Sequence, residues 1–291
     1  MAATLDLSRT AGADPGAPSA HIVDVLIAER APRLSVSWAW PLARPLLYAL
    51  LDYRKACVMA DRVAGVGGPQ AMDYASELLG LRVAATGLER IPAQGRVIVV
   101  ANHPTGLADG VAVDDVLKRV RPDRVYFANA DAHRVSPRLD EIFIPVEWVE
   151  AKRTRETIRL TVRRAQEALE TERALVIFPA GRISRRRGGV LVDPDWAPSA
   201  LSLARRRHAP VLPIHLAGPP SRLFRLFDRF SSELRDITLF HELLNKHGGA
   251  FRLTAGPLIL PEAIGDPAET TRRLKAYVEE VLPLHPDQPF A

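Results

Sequence analysis

A chain of 291 residues, 47% hydrophobic and 25% charged, is long enough for one large α/β domain with an appendage, or for two domains. Its single cysteine, Cys57, excludes a disulfide framework and a CxxC-type metal site, and points to a reducing compartment. The balance is basic, 39 Lys and Arg against 34 Asp and Glu, which fits phosphate-bearing or acidic partners without choosing among anionic lipid, coenzyme A, an acidic carrier protein and nucleic acid.

Residues 1–20 are small, polar and marked by Pro and Gly, and read as a disordered tail. No basic-then-apolar signal sequence opens the chain, and no long uncharged apolar run occurs, so neither export by the usual route nor a transmembrane helix is expected. Residues 21–80 form an N-terminal helical segment. Between Leu34 and Met59, Trp38, Trp40, Leu42, Leu46, Leu47, Leu50 and Leu51 make it strongly apolar, with Tyr48, Tyr53, Arg54 and Lys55 within or behind it. Paired Trp and Tyr with a basic trailing edge suit a helix lying at a membrane interface; a helix packed on the main domain is the alternative. Cys57 falls in the same pattern and reads as a buried structural thiol. Gly65, Gly67, Gly68 and Pro69 then precede a second helix, Gln70 to Leu79.

Residues 81–291 alternate short apolar runs with longer amphipathic ones. Strands are expected at Leu81–Ala85, Val97–Ala101, Arg124–Ala128, Ile142–Val146, Ala174–Phe178, Val211–Leu216 and Phe251–Ala255. Helices are expected at Gly110–Val120, Thr154–Glu170, Pro198–Arg207, Ser231–Lys246 and from Asp266 to Leu282, the last signed by an Asp cap and Pro267. The alternation predicts an α/β fold, a mostly parallel or mixed central sheet flanked by helices. Pro213 cannot donate a ladder hydrogen bond, so its strand should be an edge or carry a bulge.

The chemistry concentrates after these strands. Val97–Ala101 leads into Asn102, His103, Pro104 and Gly106, with Asp109 six positions past the histidine. A histidine at the C-terminal end of a buried strand, its ring oriented by a carboxylate, is a general base; Asp109 capping a helix and His103 as a plain loop residue is the other reading. Ala174–Phe178 leads into Pro179, Ala180, Gly181 and Arg182, where Gly181 permits close backbone approach and Arg182 offers a fork for phosphate. Phe143–Val146 leads toward Lys152 and Arg153. The run Arg185–Arg187 is either a solvated patch or part of a substrate site. His241-Glu242 has Asn245 where a zinc helix needs its second ligand, so no metal is expected, and no nucleic-acid module accompanies the arginine runs.

These four blocks in this order resemble the glycerolipid acyltransferase family, which acylates glycerol phosphate and lysophospholipids: Asn102-His103 with Asp109, Phe143–Arg153, Phe178-Pro179-Ala180-Gly181 and Leu212-Pro213-Ile214. The resemblance covers roughly 80–220. Two departures stand out. The His–Asp gap holds five residues rather than four, as in a bacterial hemolysin-like branch, and Ala180 replaces the family's glutamate.

The resemblance implies direct transfer of a fatty acyl chain from acyl-CoA or acyl carrier protein to a hydroxyl of a glycerol phosphate or lysophospholipid. His103 would be the base and Asp109 its orienter. Asn102, Gly106, Lys152, Arg153, Gly181 and Arg182 would bind substrate, with backbone N–H groups near Gly106 or Gly181 facing the oxyanion. It implies no cofactor beyond the acyl donor, and a cytoplasmic, bacterial protein held peripherally at the membrane surface, with no nucleic-acid partner. A catalytically altered lipid- or carrier-binding protein and a hydrolase are the alternatives.

Overall fold

The computed structural model describes residues 20–147, 152–188 and 190–291. The expected tail, Ala20 apart, and positions 148–151 of the Phe143–Arg153 block lie outside the described residues.

In chain order the strands are β1 (Arg82–Thr86), β2 (Val97–Ala101), β3 (Val125–Asn129), β4 (Phe143–Val146), β5 (Ala174–Ile177), β6 (Arg185–Arg187), β7 (Val190–Val192), β8 (Val211–Ala217) and β9 (Ala250–Ala255). All but β6 and β7 form one sheet in the order β1-β9-β8-β2-β5-β3-β4. Its pairings are parallel except β8 with β9, which run antiparallel, so the fold is α/β with a mixed sheet. β6 and β7 pair as a separate antiparallel hairpin, unexpected from sequence because three consecutive arginines carry no apolar alternation.

The helices are α1 (Ile22–Arg30), α2 (Pro32–Ser35), α3 (Trp40–Leu50), α4 (Tyr53–Ala64), α5 (Gly68–Leu79), α6 (Leu107–Leu117), α7 (Asp131–Val135), α8 (Arg155–Glu170), α9 (Ser199–Arg207), α10 (Arg222–Asp228), α11 (Ser232–Asp236), α12 (Leu239–Leu244) and α13 (Pro267–Ala276), which continues as a π turn, Tyr277–Val281. β2 shows why the sheet is covered on both faces. Val97, Val99 and Ala101 pack with Val111, Ala112 and Val116 of α6 and with Met72 and Leu79 of α5. Ile98 and Val100 face Leu169 of α8, Leu201 and Ala204 of α9, and Leu274 of α13. All five β2 residues are fully buried, worth roughly 1.5–3 kcal/mol for each large aliphatic before entropy is counted.

Two expectations need correction, and one is met in its second form. Pro213 sits in an interior strand, paired with Val100 of β2, and at a bulge rather than an edge: Ile214 pairs with Ala255 and Val211 with Ile259, so two residues of β8 face three. Its missing N–H is tolerated because β9 leaves the ladder after Ala255; the Pro213 carbonyl accepts from Gly256 (2.9 Å) and pairing resumes only as a bridge between Val211 and Ile259. The helix expected over Ser231–Lys246 is two short ones, because the Thr238 hydroxyl donates back to the Arg235 carbonyl (2.7 Å) at the break. Glu242 there is buried and paired with Lys246 (2.8 Å); burial works to raise its carboxyl, and the Lys246 ammonium outweighs that and holds it low. The apolar stretch from Leu34 to Met59 breaks into α2, α3 and α4, with Asp52 taking the left-handed turn at φ +55° between the last two.

That N-terminal region has two sides. Val23, Ile27, Leu51, Ala56 and Ala60 form a buried cluster with Ile237, one of the two residues between α11 and α12, so the helices are packed on the main domain. α3 nevertheless buries none of its residues: Leu42 (76% exposed), Leu46 (74%) and Leu50 follow Trp38 (86%) at four-residue spacing, one stripe along the helix. Among the described residues no helix is long and apolar enough to cross a membrane. Cys57 is half-buried rather than buried, and burial pushes its thiol up, which argues against a nucleophile.

Candidate active site

β2 ends between β8 and β5, and the loop that follows opens at the C-terminal edge of the parallel strands, where α/β sites form. Asn102 is buried there. Its side-chain amide donates to the Leu216 carbonyl (2.9 Å) and its side-chain oxygen accepts from the Leu216 N–H (2.6 Å). This amide stitches the end of β2 to β8, so Asn102 holds the loop and is not open to a substrate, contrary to expectation.

His103 is presented next. Its Nδ1 lies 2.9 Å from Oδ2 of Asp109, a fully buried carboxylate. Asp109 also accepts from the Thr105 N–H (2.8 Å), the Thr105 hydroxyl (2.6 Å) and the Gly106 N–H (3.0 Å). α6 starts at Leu107, three residues before the expected Gly110, which makes Gly106 the cap and Asp109 the third helical residue. The same carboxylate therefore caps the helix and holds the imidazole, so the two readings of Asp109 coincide. With Nδ1 turned to Asp109, Nε2 is the ring nitrogen left for chemistry. The ring stacks on Phe178, centroids 4.6 Å apart.

Gly106 adopts φ +98°, and a Cβ there would stand 2.8 Å from Cδ1 of Ile183, so any other residue would be strained. Its N–H is already given to Asp109, and that of Gly181 to the Phe178 carbonyl (3.0 Å). Neither is therefore available as the oxyanion donor that the sequence pattern implied.

β5 is the neighbour of β2, with Val100 opposite Ile177, so Phe178, Ala180, Gly181 and the exposed Arg182 come to the same edge as His103. Ala180 packs against the buried cluster beneath β5. Lys152 and Arg153 are not brought to the histidine. They follow β4, three strand spacings or about 14 Å from β2. Lys152 pairs with Glu29 of α1 (3.1 Å), and Nε of Arg153 donates to the Glu147 carbonyl (3.0 Å).

Sequence reasoning missed Asp193, which follows β7. It is buried and accepts from the His103 N–H at 3.1 and 3.2 Å, from the Ser184 hydroxyl at 2.5 Å and from Nε1 of Trp196 at 2.9 Å. Burial pushes its carboxyl up against the pull of those donors. Within Val192-Asp193-Pro194-Asp195 nothing marks one aspartate as special; only the hairpin, invisible in the pattern, brings it to His103.

Among known proteins, an acyltransferase family model matches residues 70–259. Over 225 residues the chain is 27% identical to a lyso-glycine lipid O-acyltransferase of Phocaeicola vulgatus, covering 74% of this chain and 77% of that protein. Over 223 residues it is 25% identical to the lyso-glycine lipid O-acyltransferase of Bacteroides thetaiotaomicron, with 74% and 79% covered. The crystal structure of the 1-acyl-sn-glycerophosphate (LPA) acyltransferase, PlsC, from Thermotoga maritima superposes with a TM-score of 0.47 at 16% identity, over 89% of this chain and 92% of that one.

Proposed function

This chain belongs to the acyltransferase family, and from that premise we propose that it moves a fatty acyl group from a thioester onto the free hydroxyl of a lysolipid, with His103 as general base. The observation that carries the reading is the His103–Asp109 pair at 2.9 Å on the open edge of the sheet. Nε2 takes the proton of the acceptor hydroxyl as its oxygen attacks the thioester carbonyl carbon; Asp109 holds the tautomer and faces the imidazolium that forms. The C–S bond then breaks, and the departing thiolate takes the proton back from Nε2. No covalent enzyme intermediate is needed. With Gly106 and Gly181 committed, the oxyanion is assigned to the first turn of α6 at Leu107, where helix geometry leaves N–H groups directed outward and positively polarised.

The relatives' names support a lysolipid acceptor. The donor is acyl-CoA or acyl carrier protein, and Arg182 is the cation placed to meet its phosphate or that of the acceptor. Lys152 and Arg153 sit beyond reach of an acceptor hydroxyl at His103 and serve, at most, the outer part of a head group.

The acceptor reaches the site from a bilayer. Trp38, Leu42, Leu46 and Leu50 lie in the interface, with Arg33, Arg44, Arg54 and Lys55 on the same segment to meet anionic head groups, which supports a peripheral protein; the cytoplasmic face is proposed because acyl-CoA and acyl carrier protein are found there. Thiol release from acyl-CoA and from acyl-carrier protein, each with and without added lysolipids, tests the reading. Release that requires a lysolipid supports transfer. Release without any acceptor would make the protein a hydrolase, and none with either donor would make it a binding protein.

A further inference from the structure

Resting on that reading of His103, we propose that Asp193 is a positioning residue for the acyl transfer: with Ser184 it grips the His103 peptide from both sides and registers the arginine-bearing hairpin on the base. The His103 N–H donates to both oxygens of Asp193 (3.1 and 3.2 Å), and the His103 carbonyl accepts from the Ser184 N–H (2.9 Å). Ser184 directly precedes β6 and Asp193 directly follows β7, so these two residues are the neck of the hairpin. The Ser184 hydroxyl donates to Asp193 across that neck and closes it. Each is 3% exposed.

The neck is itself held. The N–H of Asp193 donates to Oε1 of Glu279 (2.6 Å), and Glu279 pairs with Lys275 (2.6 Å). Glu279 lies in the π turn that ends the C-terminal helix; a turn of that kind shifts the register of a helix face and recurs at functional sites. A buried carboxylate is costly unless its oxygens are filled, and here His103, Ser184 and Trp196 fill them.

Two carboxylates thus constrain one histidine in different ways. Asp109 fixes the rotation of the ring through Nδ1, and Asp193 fixes the main chain from which the ring hangs. Arg182 leaves the same short stretch, between Gly181 and the neck, but is exposed and takes no part in the latch.

Asp193→Ala is expected to lower kcat about 10²-fold while the KM values for donor and acceptor stay within about threefold, the signature of a misplaced base rather than a lost binding contact. Asp193→Asn gives up one of the two oxygens that the His103 N–H meets but keeps the other partners, its oxygen accepting from His103 and Trp196 and its amide donating to Ser184, and should return kcat to within about tenfold of wild type. Trp196→Phe removes a partner of Asp193 without touching the His103 bond; it should lower the thermal midpoint and leave kcat in place. Wild-type kcat in Asp193→Ala would overturn the proposal, as would an equal loss of kcat in Trp196→Phe at equal loss of midpoint. Should Asp193→Ala fail to fold, Asp193→Glu, which displaces the oxygens by one methylene, takes its place with the same expected loss. His103→Ala run in parallel separates the two claims: activity retained there sinks the base itself, whereas activity lost there and kept in Asp193→Ala sinks only the positioning role.

Discussion

The His103 loop and helix α3 treat their side chains in opposite ways. In the loop the polar side chains around the base are tied down: Asn102 on Leu216, Asp109 on three donors besides the imidazole, Asp193 on His103, Ser184 and Trp196, with Nε2 of His103 left open. In α3 the large apolar side chains of Leu42, Leu46 and Leu50 stand in the open. One region depends on atomic placement, and the other on total area and spacing. Single-atom changes should therefore be severe in the loop and mild in the helix, where only changes to several residues, or a charge placed on the stripe, should register.

The largest effect is expected in the loop. His103→Ala should lower kcat about 10³-fold or more, and Asp109→Asn, which disturbs the tautomer but keeps the shape, about 10²–10⁴-fold, with the thermal midpoint of His103→Ala close to wild type. Steady-state assay with thiol detection checks both; full turnover by either variant breaks the comparison at its centre. Next comes Leu42→Glu with Leu46→Glu. Vesicle sedimentation should show binding weakened about 10²-fold, while turnover of a short-chain, water-soluble acceptor is unchanged. Equal loss on both acceptors would mean that α3 is structural.

Gly106→Ala should cost about 1–3 kcal/mol of unfolding free energy in urea titration, because φ +98° and the approach to Ile183 both penalise a Cβ. The smallest effect lies outside both regions. Glu29 of α1 takes Arg134 and Lys152, and chiefly the Arg134 hydrogen bonds hold its carboxyl at about 2, from an ordinary 4.5. A carboxylate lowered on folding stabilises above its unfolded value, so this contribution is complete above about 4.5 and disappears as pH falls through about 2. The Glu29 side chain is 38% exposed and its pairs are screened, so Glu29→Gln should shift the urea midpoint only slightly at pH 7, and less still as pH falls toward 2.

The sheet was legible because runs such as Val97–Ala101 and Ala174–Ile177 are apolar on both faces, which in an alternating chain leaves little but interior strands. His103 and Asp109 were legible because they stand six positions apart, where β2 turns into α6. The rest depended on contacts that no local pattern encodes. Asn102 looks like a ligand-facing amide until Leu216 is found beside it, and Lys152 looks like an anion site until Glu29 and the strand order put it elsewhere. Asp193 could not be singled out because the hairpin that delivers it is built from Arg185–Arg187, a charge run with no strand signature.

The anchors of the His103 loop have a consequence for how the protein is made. Asp193 lies 90 residues downstream of His103, Leu216 lies 114 beyond Asn102, and Ser221, whose hydroxyl donates to the Thr105 carbonyl, 116 beyond Thr105. A chain emerging from the ribosome carries the whole Asn-His…Asp motif long before it carries anything to hold that motif in place. Contacts of such long sequence separation close late in folding. The motif is therefore chemically silent during synthesis, and fragments ending before Ser221 should contain the base without its activity.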